Sequence, residues 1–199
     1  MKLVVLVDNN TLNDKYYFCI DYKTGGTKFD TKYLNYGLSS QLPTYALLVS
    51  SNKEYKDYIP IGLFINNVIS TSHNNEVEED ELIPGYLKLN GKVLGDLSTI
   101  QLIDPTLAEG DSAFINGVKI KKSGELSGSA TVSDTAFFDY MSITKELFLK
   151  MDEQLRMNNF DISPIFKSER DNACEYCKYK DVCFVRSYQY RRITEEEDE

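Results

Sequence analysis

Blocks of apolar and polar positions mark out the first elements of this chain. Leu3 to Val7 is a continuous apolar run rich in β-branched residues, the pattern of a strand. Asp8 to Asp14 is rich in Asn and Asp and reads as a turn. Tyr16 to Tyr22 is a second strand-forming run, so the two runs predict a hairpin, and Gly25-Gly26 ends the second strand. Leu38, Leu42, Tyr45 and Leu48-Val49 recur at helical spacing, predicting a helix over 38–50. Pro43 falls near its start, where proline is tolerated. Tyr58 to Ile69 reads as a third, buried strand.

The next stretch is less regular. An acidic run is followed by Gly85, Gly91, Gly95, Gly110, Gly117, Gly124 and Gly128, and short strands are expected, for example over 112–121. Ser133-Asp134 offers a helix N-cap, and 137–157 has the pattern of a long amphipathic helix. The expected organisation is one domain with five segments. A core spans 1–73, an insertion 74–132, a long core helix 133–160 and a cysteine-rich segment 161–193. A solvated, disordered acidic tail covers 194–199.

Composition changes this picture in one respect. The 199 residues are 42% hydrophobic, 12% aromatic and 27% charged, which excludes wholesale disorder, collagen-like sequence and coiled coil. The formal charge is -9, yet the excess is confined to Glu76, Glu78, Glu79, Asp80 and Glu81 and to Glu195–Glu199. Without those two runs the body carries +1, so the acidic balance does not exclude a nucleic-acid partner. No apolar run approaches the ~20 residues of a membrane span. The opening apolar run is too short for a signal peptide. The expected location is the cytoplasm, where disulfides are rare.

Three of the four cysteines, Cys174, Cys177 and Cys183, read C-x2-C-x5-C. Close thiolates on a turn suit one metal ion or cluster, and three protein ligands leave a four-ligand site one short. Iron–sulfur and zinc both fit this spacing. His73 stands in a polar stretch and reads as a loop residue rather than a ligand. Cys19 lies inside an apolar strand and reads as core. Residues 167–192 carry a net +3, with Tyr176, Tyr179, Phe184, Tyr188 and Tyr190 interleaved. That mixture suits phosphates and stacked bases, and equally a solvated surface around a small metal knot.

Asp21 and Lys23 alternate onto one face at the end of the second strand. A carboxylate there can hold Mg2+ or Mn2+. A lysine two residues on can orient water or stabilise charge on a phosphate. The string Cys19-Ile20-Asp21-Tyr22-Lys23-Thr24-Gly25, followed by Gly37-Leu38-Ser39-Ser40-Gln41-Leu42-Pro43-Thr44-Tyr45, resembles the PD-(D/E)XK nuclease superfamily in its RecB-like branch. In that branch an acid-x-lysine strand precedes a Gln-x3-Tyr helix. An insertion, a long helix, Ile162-Ser163-Pro164 and the three cysteines follow in the order of the AddB-type nuclease domains, as do Leu87–Gly91 and 112–119.

The resemblance implies an α/β fold with a restriction-endonuclease-like core. Such a core is a mixed central sheet flanked by helices, here with a β-rich insertion and a C-terminal iron–sulfur segment. It implies metal-dependent hydrolysis of DNA for double-strand break repair and recombination, with an AddA-like helicase–nuclease partner and no membrane. Asp21 becomes a metal ligand, joined by the carbonyl of Tyr22, and Lys23 the catalytic lysine. Gln41 and Tyr45 line the active site. Cys174, Cys177 and Cys183 ligate a [4Fe–4S] cluster, with zinc as the alternative. A Cas4-like exonuclease and a non-catalytic DNA-binding remnant share these features.

The family's further metal-binding aspartate, in a Gly-x-x-Asp motif on the preceding strand, has no match here. A hairpin centred near residue 11 pairs Asp21 with a residue near Met1, leaving Asp8 roughly 20 Å away along the strand. The family's first cluster cysteine is also upstream of this sequence. The expectation is a chain that starts within the domain and has weak or no nuclease activity alone.

Overall fold

The first two apolar runs pair into the expected hairpin. In the computed structural model, which describes residues 2–9, 14–68, 87–169 and 171–193, β1 (Lys2–Asn9) and β2 (Asp14–Lys23) form an antiparallel ladder from Asn9↔Asp14 to Lys2↔Asp21. Asp8 and Asn9 therefore continue the strand instead of opening the turn, because their backbones pair with Lys15 and Asp14. His73, the acidic run at 76–81 and the tail at 194–199 lie outside the described residues.

A 3-10 helix over Thr31–Tyr36 comes next, capped by Asp30, whose carboxylate accepts from the Lys32 amide. The predicted helix begins three residues late, as α1 (Gln41–Ser51). Gly37 at φ 80 and Ser39 at φ 58 hold the preceding residues in left-handed backbone, which no helix can continue. β3 (Tyr58–Asn67) runs parallel to β2. The pairing slips between Tyr17 and Phe18, around Pro60 and Ile61, and a bulge is where a strand tolerates a proline.

After β3 come β4 (Asn90–Leu94), α2 (Leu97–Gln101), the two-residue strands β5 (Gly110–Asp111), β6 (Lys119–Ile120) and β7 (Leu126–Ser127), then β8 (Thr131–Val132) and α3 (Asp134–Arg156). The central sheet has the order β1-β2-β3-β4-β8 and is mixed, while β5, β6 and β7 form a small sheet of their own. Residues 74–132 thus supply two strands of the central sheet. Gly91 makes the β3–β4 contact possible, since a Cβ there would lie 2.0 Å from the Leu63 carbonyl oxygen. The strand expected over 112–121 shrinks to Lys119–Ile120, because 112–116 is folded around Asp104.

Two compact units divide the chain within α3, Met1–Glu146 and Leu147–Glu199. In the first, Tyr17, Leu63, Phe64, Ile61, Val93 and Phe137 are fully buried. Ser133 caps α3, its hydroxyl accepting from the Ala136 amide at 3.3 Å. Phe137, Met141 and Thr144 are the buried stripe of that helix. In the second unit, β9 (Ile165–Ser168) pairs antiparallel with β10 (Asp171–Asn172). The short α4 (Lys180–Cys183) and then β11 (Arg191–Arg192) follow, and β11 runs parallel to β9. Among the described residues no helix is long and apolar enough to cross a membrane.

Asp104 is 0% exposed and gathers the loop that precedes β6. Its oxygens accept from Ser112 Oγ at 2.6 Å, Thr106 Oγ1 at 2.6 Å, the Ala113 amide at 3.0 Å and the Thr106 amide at 3.1 Å. Burial raises its pKa, but these donors outweigh burial and hold it below the ordinary 3.8. A depressed carboxyl stabilises the fold above its unfolded pKa and loses that stabilisation as pH falls through the folded value. Asp104→Asn turns a donor toward donors, and we expect it to cost roughly 3 kcal/mol in urea unfolding at pH 7. The gap between variant and wild type should narrow as pH falls below 3.8; a gap independent of pH contradicts the assignment.

Candidate active site

β2 carries the chemistry because of where it sits. It lies between β1 and β3, and its residues Tyr17 to Asp21 are buried without a break. The Tyr17 hydroxyl donates to the Ala46 carbonyl at 2.8 Å and bonds Ser50 Oγ at 2.8 Å, which fixes α1 against the strand. Burial raises the Tyr17 pKa, so the phenol stays protonated and the tie holds across the ordinary pH range.

At the other end of β2, Asp21 is 3% exposed. Lys23 Nζ lies 2.8 Å from Asp21 Oδ2 and donates to Gln41 Oε1 at 2.7 Å. Gln41 in turn donates from Nε2 to the Tyr45 hydroxyl. Gln41 and Tyr45 are one turn apart on α1, the spacing that stacks side chains on one face. The four residues singled out in sequence thus form one continuous chain of contacts, Asp21–Lys23–Gln41–Tyr45.

Asp21, Lys23 and Gln41 open onto a cleft of about 340 Å³, lined also by Lys28, Ser39 and Ser40, whereas Tyr45, expected to line the site, is not among the lining residues and reaches it only through Gln41. Among the described residues that line it, Asp21 is the one carboxylate. The close approach of Lys23 is an ion pair without hydrogen-bond alignment, and Asp21 Oδ2 is buried with no hydrogen-bond donor on it. A buried carboxylate oxygen with an open lone pair is a suitable donor to a hard divalent cation, so the residue present fits one. The Lys23 carbonyl accepts from the Val68 amide at 2.9 Å, toward β3. By strand alternation the Tyr22 carbonyl points to the opposite edge, beyond the Lys2↔Asp21 pair. Asp8 pairs with Lys15, six residues along β2 from Asp21.

Lys28 had no motif to mark it in the sequence. The available signal was its place in the loop that leaves the Asp21–Lys23 strand.

The cysteines divide as their surroundings dictate. Cys19 is 1% exposed in the core, and burial pushes its thiol up to about 12. Cys174, Cys177 and Cys183 are free thiols nearer the surface. A turn joins the first two, with the Cys177 amide donating to the Cys174 carbonyl at 3.3 Å. Cys174, beside the Tyr190 hydroxyl, raises the pKa of that phenol. Among the described residues, no three His, Cys, Asp or Glu side chains are grouped to hold a metal ion. The three thiols match a cluster in donor chemistry, but they are not gathered around a common centre.

The family model described as the PD-(D/E)XK nuclease superfamily matches residues 6–184. Several proteins named as the B-type subunit of an ATP-dependent helicase/deoxyribonuclease are similar over most of the chain. That of Alkaliphilus oremlandii is 31% identical over 94% of the chain and 18% of its own length. That of Clostridium novyi is 31% identical over 92% and 17%, and that of Ruminiclostridium cellulolyticum 34% identical over 86% and 15%. The chain therefore spans less than a fifth of each of these relatives.

Proposed function

The chain belongs to the PD-(D/E)XK nuclease superfamily, and from that premise we propose that its cleft hydrolyses DNA phosphodiester bonds with the help of Mg2+ or Mn2+. The observation that carries this reading is the buried Asp21 carboxylate, with an oxygen free of hydrogen bonds, paired at 2.8 Å with Lys23 at the floor of a cleft. Asp21, with the Tyr22 carbonyl as a second oxygen donor, would hold the cation. A bound divalent ion supplies Lewis-acid charge and acidified water in such sites.

The protein's own groups supply the rest. Lys23 brings a fixed ammonium to the phosphate as negative charge builds on it in the transition state. Gln41 holds that ammonium at 2.7 Å, so it is positioned before substrate arrives and little reorganisation is needed. Tyr45 orients the Gln41 amide by accepting its N–H, which turns Oε1 toward Lys23. The relatives' name, ATP-dependent helicase/deoxyribonuclease, supports DNA as substrate. It also supports, as part of this proposal, an AddA-like partner in break repair and recombination. A DNA-binding module without hydrolysis is the second reading, favoured by the single carboxylate among the described residues that line the cleft.

We extend the proposal to a [4Fe–4S] cluster on Cys174, Cys177 and Cys183, supported by three free thiols in one short segment. It takes no part in the hydrolysis described above.

For the hydrolysis, the purified chain is incubated with linear single- and double-stranded DNA in Mg2+ or Mn2+. Slow cleavage is expected, reduced at least about 100-fold by Lys23→Ala or Asp21→Asn. Cleavage unaffected by either substitution contradicts the assignment. DNA retention without cleavage, unchanged by Lys23→Ala, identifies the non-catalytic module. For the cluster, protein isolated without air should contain iron and acid-labile sulfide, both lost in Cys177→Ser. Zinc alone contradicts it.

A further inference from the structure

The charges of the cleft do not balance. Its lining residues include three charged groups, Asp21, Lys23 and Lys28. Asp21 and Lys23 stand 2.8 Å apart and neutralise each other. Among the described residues Lys28 has no ion pair, hydrogen bond or ring contact. The acid nearest to it in sequence, Asp30, is turned to the Lys32 amide at 3.1 Å. Two lysines elsewhere meet acids, Lys121 with Glu125 at 2.9 Å and Lys167 with Asp171 at 3.2 Å; what sets Lys28 apart is its place in the lining of the cleft. Among the described residues the cleft is thus left with one uncompensated ammonium.

The backbone under that ammonium is held on both sides. The Thr27 amide donates to the Gly25 carbonyl at 2.7 Å. The Thr27 carbonyl accepts from Asn67 Nδ2 at 3.2 Å, which ties the loop to the end of β3. Asn67 is the register partner of Lys23, so the same tie joins the loop to the strand bearing the ion pair. On the other side Phe29 is 8% exposed and stands edge-on to the Tyr140 ring, centroids 6.0 Å apart. A lysine anchored one residue away in each direction gives up only its own rotamers when it takes a ligand.

Another part of the lining repeats the preference for an anion. Ser40, before α1, makes no side-chain cap, and the first turn of α1 holds no acid. The positive end of that eleven-residue helix therefore meets the cleft with no acidic or side-chain cap to offset it. In the same cavity the buried Asp21 Oδ2 is met by Lys23 at 2.8 Å without hydrogen-bond alignment. A cation on Asp21 and an anion spanning to Lys28 together describe a phosphodiester backbone laid along the cleft.

We propose that Lys28 is a phosphate-binding residue, holding the backbone phosphate next to the one presented to Asp21 and Lys23. The inference rests on the nuclease reading above and adds to it the group that fixes the register of the DNA strand. Lys28 lies outside the Asp21–Lys23–Gln41–Tyr45 chain of contacts. It acts on binding whether or not the cation is present.

The test is therefore made without metal. Fluorescence anisotropy of a labelled single-stranded oligonucleotide is measured against the wild-type chain, Lys28→Gln, Lys28→Arg and Lys122→Gln across a range of salt. Lys122 is exposed and outside the cleft. Lys28→Gln should weaken binding about fivefold at low salt and reduce the slope of log affinity against log salt by about 0.7, the value for one phosphate contact on a single strand. Lys28→Arg should restore both, and Lys122→Gln should change neither. Wild-type binding with an unaltered affinity and slope in Lys28→Gln overturns the proposal and leaves the nuclease reading standing, as does an equal loss in Lys122→Gln. A wild-type chain that binds no DNA without metal also overturns the proposal, and leaves the nuclease reading to the cleavage assay with Mg2+ or Mn2+.

Discussion

The site depends on one costly arrangement, a carboxylate brought to 3% exposure at the end of a sheet strand. Burying an ionised carboxylate is strongly unfavourable unless charge and hydrogen bonds compensate it. Here the compensation is a single ammonium, Lys23, at 2.8 Å from Oδ2, and it is incomplete because the approach lacks hydrogen-bond alignment. The fold tolerates this because the ammonium is itself constrained. Lys23 stands two residues from Asp21 on the same strand face and is held at 2.7 Å by Gln41. A well-packed apolar residue would be less costly at position 21, which is why the incomplete compensation points to chemistry and not to stability.

Everything nearby serves to keep β2 and α1 in register. Tyr17 fastens the far end of the strand to Ala46 and Ser50, and the Lys23–Gln41 bond fastens the near end. The helix is thus tied at both ends of the segment that bears the site. β3 flanks β2 in parallel. Gly91 lets β4 come against β3 with no side chain between them, so the sheet extends under the site without a gap. Left-handed Gly37 and Ser39 end the preceding 3-10 helix and aim the start of α1 into the cleft.

Much of this was legible in the sequence where local pattern and tertiary role coincide. The hairpin, β3 and α3 follow from runs and periodicity. Asp21, Lys23, Gln41 and Tyr45 follow from spacing plus family resemblance, and the structure brings all four together. β4 is five residues long and contains a glycine, and its partner β8 has two residues. Neither carries a periodic signal, and they become strands only because the sheet edge offers hydrogen bonds. The ladder through Asp8 and Asn9 likewise overrides their turn propensity. Lys28 was silent because one lysine after Gly25-Gly26-Thr27 resembles any surface lysine until the cleft's charges are counted. The cysteine spacing was plain to read, yet among the described residues the three thiols are not grouped around a common centre.

The proposed chemistry stands or falls on the open Asp21 oxygen as a cation site held in check by Lys23. The most direct measurement is Mn2+ binding by isothermal titration calorimetry, without DNA, on the wild-type chain, Asp21→Asn and Lys23→Met. One saturable site is expected in the wild type and its loss in Asp21→Asn. Binding should tighten in Lys23→Met, where no ammonium competes for the carboxylate. Mn2+ binding that survives Asp21→Asn unchanged, or none in the wild type and in Lys23→Met alike, would contradict the cation site.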